Sequence, residues 1–337
     1  MKVLYIGQYN NGSTSRMRGE MLQKLSHHSK FDVIDTRVLM DQVTRFWRTM
    51  SFRFNFGVLV QKINTTILSQ TKGENYDLIW VDKGTYIKPT TTRVLKSICK
   101  TLVHFTPDMA FYSNKSRLFI KSLPYYDFVI STKFHEQKFY LDLIDESKLL
   151  MVSQGYSKEL HQNKISYSNK SDGVVFIGLG ELHRYNIVQK LIDNEIPVKL
   201  AGYKWDRFVQ KNQGNTSLNF VGNVLLGEDY VHLIGGSKIA LGLLSKRFPE
   251  LHTTRTFEIP AIGTALLTER NSEIESFYSD DEVIFYDSLD EMAQKVKYYL
   301  NNKDELEALS NRGHKRATTS GYDYESILSG LLSKVMV

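Results

Sequence analysis

Two acids eight positions apart, Glu250 and Glu258, stand in the stretch SKRFPELHTTRTFEIPAIGTALLT (245–268). Glu250 falls in a loop after the strand pattern KIALGLLS (238–245). Glu258 falls on a following helix expected to open near Thr253 or Thr254. Either threonine is a suitable cap for that helix, and the free backbone N–H groups there suit a phosphate. Arg255, in the first turn, would add a charge-assisted contact to the same anion. Pro260, Ala261 and Gly263 then end the helix and lead into the apolar run TALLT (264–268). A carboxylate just inside a helix beside an anion is oddly placed unless it accepts hydrogens from hydroxyls. A ribose diol supplies two such donors, and a sugar supplies more to Glu250. The plain alternative makes Glu250 an exposed loop residue and Glu258 a helix-surface residue.

Other stretches carry weaker signals. GLGELHR (178–184) has Gly178 and Gly180, but His183 stands at the third glycine position of G-x-G-x-x-G, which argues against a nicotinamide cofactor. GQYNNGSTSRMR (7–18) follows a strand pattern, so Gly12, Ser13 and Arg16 could approach an anion or sugar, or form an ordinary strand-to-helix loop. In HFTPD (104–108), His104 and Asp108 end another strand run, and His104 reads more readily as a core histidine. RFWRTMSFRFNFGVLVQK (45–62) interleaves Arg45, Arg48 and Arg53 with five aromatics. That pattern suits a lipid headgroup zone or a nucleic-acid strand, unless the aromatics pack inward while the arginine stems snorkel. Asp280 and Asp281 resemble a metal-binding pair but sit in a turn pattern, and His27 and His28 read as surface residues.

The elements that must position these residues alternate strictly. Strand runs are expected at 2–7, 31–35, 76–82, 101–106, 126–132 and 148–152, with helical patterns such as 15–27, 90–99 and 134–144 between them. They are nearly continuous in apolar residues, as expected for strands buried on both faces of a parallel sheet. A polar stretch, 153–173, reads as a linker. The alternation then restarts with runs at 174–178, 197–202, 218–222, 238–245, 264–268 and 282–286. The expectation is an α/β chain of two doubly wound domains across a cleft: residues 1–156, a linker at 157–172, residues 173–320, and a C-terminal helix at 321–337 crossing back to the first domain.

Composition limits the alternatives. With 42% apolar and 24% charged residues in 337, the chain is neither disordered nor low in complexity. The single cysteine, Cys99, forms no internal disulfide and no cysteine-based metal site. No secretion signal or membrane-spanning run is evident, so a cytoplasmic location is expected, with the inner membrane face as a peripheral option. Residues 1–170 carry 25 Lys and Arg against 14 Asp and Glu, whereas residues 171–337 carry 18 against 23. A basic first half collects anionic partners, although basic residues also simply solubilise a surface.

The run RTFEIPAIG (255–263), followed by Glu273, Glu275 and Phe277 and then DEVIFYDSLDEM (281–292), resembles the GT-B glycosyltransferases with an E-x7-E motif, more narrowly the CgeB-type spore-maturation glycosyltransferase-like group. The resemblance covers about residues 175–325 well and the first half loosely. It implies two Rossmann-like domains, the second binding a nucleoside diphosphate sugar such as a UDP-sugar. Glu258 would take the ribose hydroxyls and Glu250 the donor sugar. Thr253, Thr254 and Arg255 would lie by the diphosphate, with Arg184 as the cation for the leaving phosphate and Lys246 and Arg247 as alternatives to it. Gly178 and Gly222 would line the donor site, and Asp108 occupies the place of a family acid. The first domain would take the acceptor, on the side of Gly12, Ser13, Arg16, Arg45, Arg48 and Arg53. Retention at the anomeric carbon is implied; an inverting enzyme would need Asp108 or His104 as base. Neither a metal nor a cofactor beyond the donor is expected, and no obligate protein partner is evident. The acceptor is an anionic glycan, a lipid surface or DNA. Competing readings are a DNA-modifying glycosyltransferase, a nucleotide-sugar epimerase and a non-catalytic nucleotide-sugar binding protein.

Overall fold

Each apolar run singled out above forms a strand, within a few residues at its ends. The computed structural model describes residues 1–26, 30–162 and 164–336; His27 and His28 lie outside the described residues. The chain divides into two compact units, Met1–Ser153 with the segment from Tyr324 onward, and Gln154–Asp323.

In the first unit, β1 (Lys2–Gly7) leads through α1 (Thr14–Leu25) to β2 (Lys30–Asp35). Three helices follow, α2 (Thr36–Asp41), α3 (Arg45–Phe54) and α4 (Val58–Gln70), before β3 (Tyr76–Asp82). Then come α5 (Pro89–Ser97), β4 (Cys99–Thr106), α6 (Arg117–Ser122), β5 (Phe128–Ser131), α7 (Gln137–Leu141) and β6 (Leu149–Met151). The strands form one sheet in the order β2-β1-β3-β4-β5-β6, and all pairings are parallel. Alternate side chains of a strand face opposite ways, so Leu4, Ile79 and Val81 join one apolar layer, and Val3, Tyr5 and Trp80 the other.

The second unit repeats the scheme. β7 (Ser171–Ile177), α8 (Leu182–Asp193), β8 (Val198–Ala201), α9 (Asp206–Lys211) and β9 (Leu218–Gly222) make its first half. α10 (Gly227–Gly235), β10 (Ser237–Leu241), α11 (Arg255–Ala261), β11 (Ala265–Glu269), α12 (Ser272–Phe277) and β12 (Ile284–Tyr286) make the second. The sheet order is β12-β11-β10-β7-β8-β9, again parallel. Two long helices, α13 (Leu289–Asn301) and α14 (Lys303–Thr319), close the unit. The C-terminal helix, α15 (Tyr324–Val335), returns to the first unit, where Tyr324, Leu328, Leu331 and Val335 pack into the layer that holds Val3, Tyr5 and Trp80. Those four positions follow helical spacing, so one face of α15 is apolar and needs that cover.

The stretch 157–172 is not a linker: it belongs to the second unit, whose limits fall at Gln154 and Asp323 rather than at 173 and 320. His161 and Lys170 are buried there. The Lys170 ammonium donates to the Gly263 carbonyl and to Thr264 Oγ1, and burial pushes its pKa down to about 8. A run of Ser, Lys and Asn has the composition of a linker, but composition does not reveal which of its polar groups find buried partners. No helix among the described residues is long and apolar enough to cross a membrane.

Candidate functional site

The second sheet reverses its strand order between β7 and β10. Connections leave these two neighbours in opposite directions, which opens a crevice at their carboxyl ends, where ligands of open α/β sheets bind. The loop after β7 carries Gly178 and leads to Arg184 in the first turn of α8. The loop after β10 carries Glu250, Thr253 and Thr254 and leads to Arg255 and Glu258 on α11. Sequence positions some 70 apart are thereby brought to one place.

Arg184 and Arg255 meet there. Arg184 is buried; it donates from Nη1 to the Leu179 carbonyl at 2.9 Å and from Nη2 to the Leu243 carbonyl at 3.2 Å. Arg255 Nη2 reaches the same Leu243 carbonyl at 3.4 Å. Both guanidiniums lie over the Phe176 ring, 5.6 and 5.9 Å from its centroid. Each keeps a buried Nε–H with no hydrogen-bond partner among the described residues. Burial, and then the neighbouring Arg255 charge, bring the Arg184 pKa down to about 10, against an opposing pull from Glu181 and Glu250. Two cations held together in a poorly solvated place repel, and an anion between them would relieve that repulsion while satisfying the two orphan donors.

Glu258 is also buried, not a helix-surface residue. Its Oε2 accepts from the Tyr230 hydroxyl at 2.8 Å, and its Oε1 lies 3.9 Å from His161 Nε2. His161 Nδ1 accepts from the Ser157 backbone N–H at 2.9 Å, so the ring proton sits on Nε2 and faces the carboxylate. Burial lowers the His161 pKa, with Glu258 opposing, and raises that of Tyr230, with Glu258 adding to the effect. Oε1 thus retains capacity to accept from a hydroxyl, beside a neutral imidazole.

The loop that carries Glu250 is anchored by His252, which is fully buried. Its Nε2 accepts from the Gln154 backbone N–H at 3.1 Å, so its Nδ1 donates to Glu273. On the facing loop, the Glu181 carboxylate takes the Ser245 hydroxyl at 3.1 Å.

Other sequence candidates of this unit are placed differently. Neither threonine caps α11 through its side chain: Thr254 occupies the cap position in a helical conformation, and Thr253 Oγ1 is buried without a partner among the described residues. The Thr256 hydroxyl accepts from the Thr253 N–H at 3.2 Å, a bond to a donor ahead of the helix that caps none of the first N–H groups of α11. Lys246 pairs with Glu269 at 2.5 Å, and Arg247 is exposed, so neither joins the guanidinium pair. Gly178 is held from behind, its carbonyl accepting from Trp205 Nε1 at 2.8 Å. Gly222 ends the edge strand β9, two strands away from β7, with φ at 153° and open space where a Cβ would be. Asp280 and Asp281 are neutralised by Arg270 and Arg312.

The first unit has its own reversal, between β1 and β3. Ser13 caps α1 by accepting from the Arg16 N–H at 3.2 Å, Gly12 has φ at 75°, and Arg16 pairs with Glu20 at 2.6 Å. These three therefore build a helix start. His104 is a core residue rather than a base: its ring stacks on Phe119 at 4.4 Å, its Nε2 lies 3.1 Å from the Lys83 carbonyl, and burial lowers its pKa to about 4. Asp108 is half-buried and pairs with Lys83 Nζ at 2.8 Å. A pocket of about 240 Å³ opens at this edge, lined by Asp108, Lys83, Gln8, Tyr86 and Phe52 among others. Arg45 and Arg53 are exposed on α3, and Arg48 lies 3.4 Å from Asp41.

Tyr230, His161 and His252 also belong to this site, although no motif marks them. Each joins the site from 6 to 97 positions away across loops and helices, and the only signal was that a polar run, 153–173, contains a histidine in otherwise linker-like composition.

Residues 184–333 match a protein-family model described as "Glycosyl transferase-like". No curated protein sequence matches the chain. Among solved structures, sucrose-phosphate synthase from Thermosynechococcus elongatus is similar, with a TM-score of 0.68 at 13% identity over 99% of this chain and 98% of that one. Anabaena HepE, solved in complex with UDP-glucose, has a TM-score of 0.64 at 12% identity over 99% of both chains. A glycosyltransferase from Rickettsia africae has a TM-score of 0.62 at 12% identity, over 98% of this chain and 97% of that one. At such identities the likeness establishes the fold alone: the chain has the GT-B fold, with two parallel six-stranded α/β units.

Proposed function

We propose that the protein is a glycosyltransferase that moves a sugar from a nucleoside diphosphate sugar, with UDP the favoured nucleotide, to an acceptor hydroxyl. The observation that carries this reading is the pair formed by buried Arg184 and half-buried Arg255, which share one carbonyl and each keep a buried Nε–H unsatisfied among the described residues. A diphosphate fits two such forks better than a single carboxylate does, because it offers several anionic oxygens over a few ångströms. The glycosyl transferase-like match over 184–333 and the fold shared with HepE, whose structure holds UDP-glucose, support the same reading.

In the reaction the bond from the anomeric carbon to the diphosphate oxygen breaks. A bond to the acceptor oxygen forms, and the acceptor proton leaves with the departing diphosphate. Negative charge builds on that diphosphate as the bond breaks, so the guanidiniums act where charge develops. Glu258, through its Oε1, would hold the ribose diol, and Glu250, whose charge already acts on Arg184, would hold the donor sugar. We read the stereochemical course as retaining, in line with the E-x7-E spacing of Glu250 and Glu258. Were it inverting, Asp108 would be the candidate base, since His104 is sealed in the core. The acceptor side is assigned to the basic first unit, with an anionic glycan or lipid as acceptor and the protein peripheral at the inner membrane face.

Thermal unfolding with a panel of nucleosides, nucleoside diphosphates and their sugars tests the donor assignment. A ligand present at about 100 times its Kd adds roughly 2.7 kcal/mol to stability. UDP and at least one UDP-sugar are expected to raise the melting temperature, and Glu258→Ala is expected to remove most of the shift. Equal shifts in wild type and variant, or none with any nucleotide, would refute it. Consumption of the stabilising sugar nucleotide without any acceptor, giving an isomer, would point to an epimerase instead.

A further inference from the structure

The helix α3 does not bury its aromatic side chains. Phe46, Trp47, Phe52 and Phe54 are exposed, as are Phe56 and Val58 just beyond it, with Phe46 and Phe56 more than 60% exposed. Only Ser51 of the helix is buried. Phe46, Met50 and Phe54 recur at four-residue spacing with Trp47 beside them, so they form one stripe along the helix. The arginines flank it, and Arg45 and Arg53 have no acidic partner among the described residues. From Gln42 to Gly73 the chain holds five Lys and Arg and no acid. Beyond the helix the positive charge continues, because the Arg117 backbone N–H donates to Asn55 Oδ1 at 2.7 Å and brings Lys115 and Arg117 to the end of α3.

An apolar stripe edged by unneutralised arginines fits the boundary between anionic headgroups and acyl chains. A nucleic-acid strand fits less well. Base stacking needs splayed, accessible ring faces, whereas Phe46 packs edge-on against Trp47 at 5.3 Å and Phe54 packs against Phe56 at 5.9 Å. The rings thus form two compact apolar knobs rather than a row of platforms. The helix also adjoins a binding space: Phe52 lines the pocket that holds Lys83 and Asp108 at the β1/β3 edge.

We propose that α3 and the turn through Val58 dock on an anionic lipid surface, so that the pocket beside Phe52 receives the hydroxyl-bearing headgroup of a lipid-borne acceptor. The headgroup assignment rests on the glycosyl-transfer reading; the docking surface does not. Docking seats the knobs at the acyl boundary, the arginines among the phosphates, and the pocket mouth at headgroup level.

The protein supplies its own reporter. Of three tryptophans, Trp80 and Trp205 are fully buried and Trp47 is exposed, so an environment change at the surface is read at Trp47. Vesicles of phosphatidylcholine, with or without phosphatidylglycerol, are titrated into the full-length protein, and emission and co-sedimentation are followed. A blue shift and co-sedimentation are expected with the anionic vesicles. Replacing Arg45, Arg48 and Arg53 together by Gln should weaken binding about a hundredfold, near a factor of five per charge. Phe46→Ser with Phe54→Ser and Phe56→Ser should abolish the blue shift while leaving UDP-induced stabilisation in place. No association with anionic vesicles, association unaffected by either set, or a Trp47 response to single-stranded DNA but not to vesicles would overturn the proposal. Because UDP stabilisation is measured on the same samples, its failure would strike the donor reading alone.

Discussion

Replacing Arg184 by Ala is expected to lower kcat for sugar transfer by about 10²–10³, the typical effect of removing one preorganised group that stabilises developing charge. kcat and kcat/KM should fall together if, as proposed, the contact strengthens while the diphosphate departs. The fork geometry explains why lysine is a poor replacement. Arg184 spans the Leu179 and Leu243 carbonyls and still keeps Nε–H for a ligand, whereas a single ammonium cannot satisfy both carbonyls and point at a phosphate. Steady-state kinetics on Arg184→Ala and Arg184→Lys, with melting curves to show that both fold, check this. An unchanged kcat in a folded Arg184→Ala protein would remove the arginine from the chemistry. The Arg184 pKa near 10 also implies that the group stays charged through neutral pH and that no loss of activity below about pH 9 should trace to it.

The largest expected effect on stability belongs to the first unit. Arg18 and Asp82 form a fully buried pair, with Nε to Oδ2 at 2.8 Å and Nη2 to Oδ1 at 3.1 Å. The guanidinium also faces the Phe105 ring at 4.7 Å and the Tyr324 ring of α15 at 5.9 Å. Arg18→Met strands a carboxylate in the core and should cost about 3–5 kcal/mol in urea unfolding. Arg18→Met with Asp82→Leu should recover much of that loss, because no charge is then left buried. A double variant as unstable as the sum of both singles would contradict the account. Burial raises the Asp82 pKa, but the Arg18 charge overrides it and holds the carboxyl below its ordinary range. The folded pKa lies below the unfolded one, so the pair's contribution is fully present above about pH 4 and is lost as pH falls through the depressed value. Arg18→Met should flatten that acid limb.

What could be read from the sequence was what depends on local pattern. The twelve strand runs are apolar and short, flanked by turn residues, and periodicity of that kind survives folding. The candidates Arg184, Glu250, Arg255 and Glu258 end up at one sheet reversal because loops after strands must emerge at carboxyl edges, whatever their side chains do. What the sequence did not reveal is non-local. Arg18 and Asp82 are 64 positions apart, and Tyr230 and Glu258 are 28 apart; nothing in either segment marks the other. His161 and Lys170 sit in a run whose composition mimics a linker, yet their polar atoms have partners in the fold. The α3 aromatics illustrate the opposite failure. Period and composition allow them to face in or out, and only the packing of α3 against its neighbours decides that they face out. His104 was ambiguous for the same reason, until Phe119 and Tyr126 enclosed it.

A crystal of the protein soaked with a UDP-sugar addresses the donor site most directly. Diphosphate oxygens are expected within hydrogen-bond distance of the Arg184 and Arg255 guanidiniums, with ribose hydroxyls donating to Glu258. A nucleotide bound at any other place, or bound here with the Glu258 carboxylate still engaged by Tyr230 alone, would contradict the donor assignment.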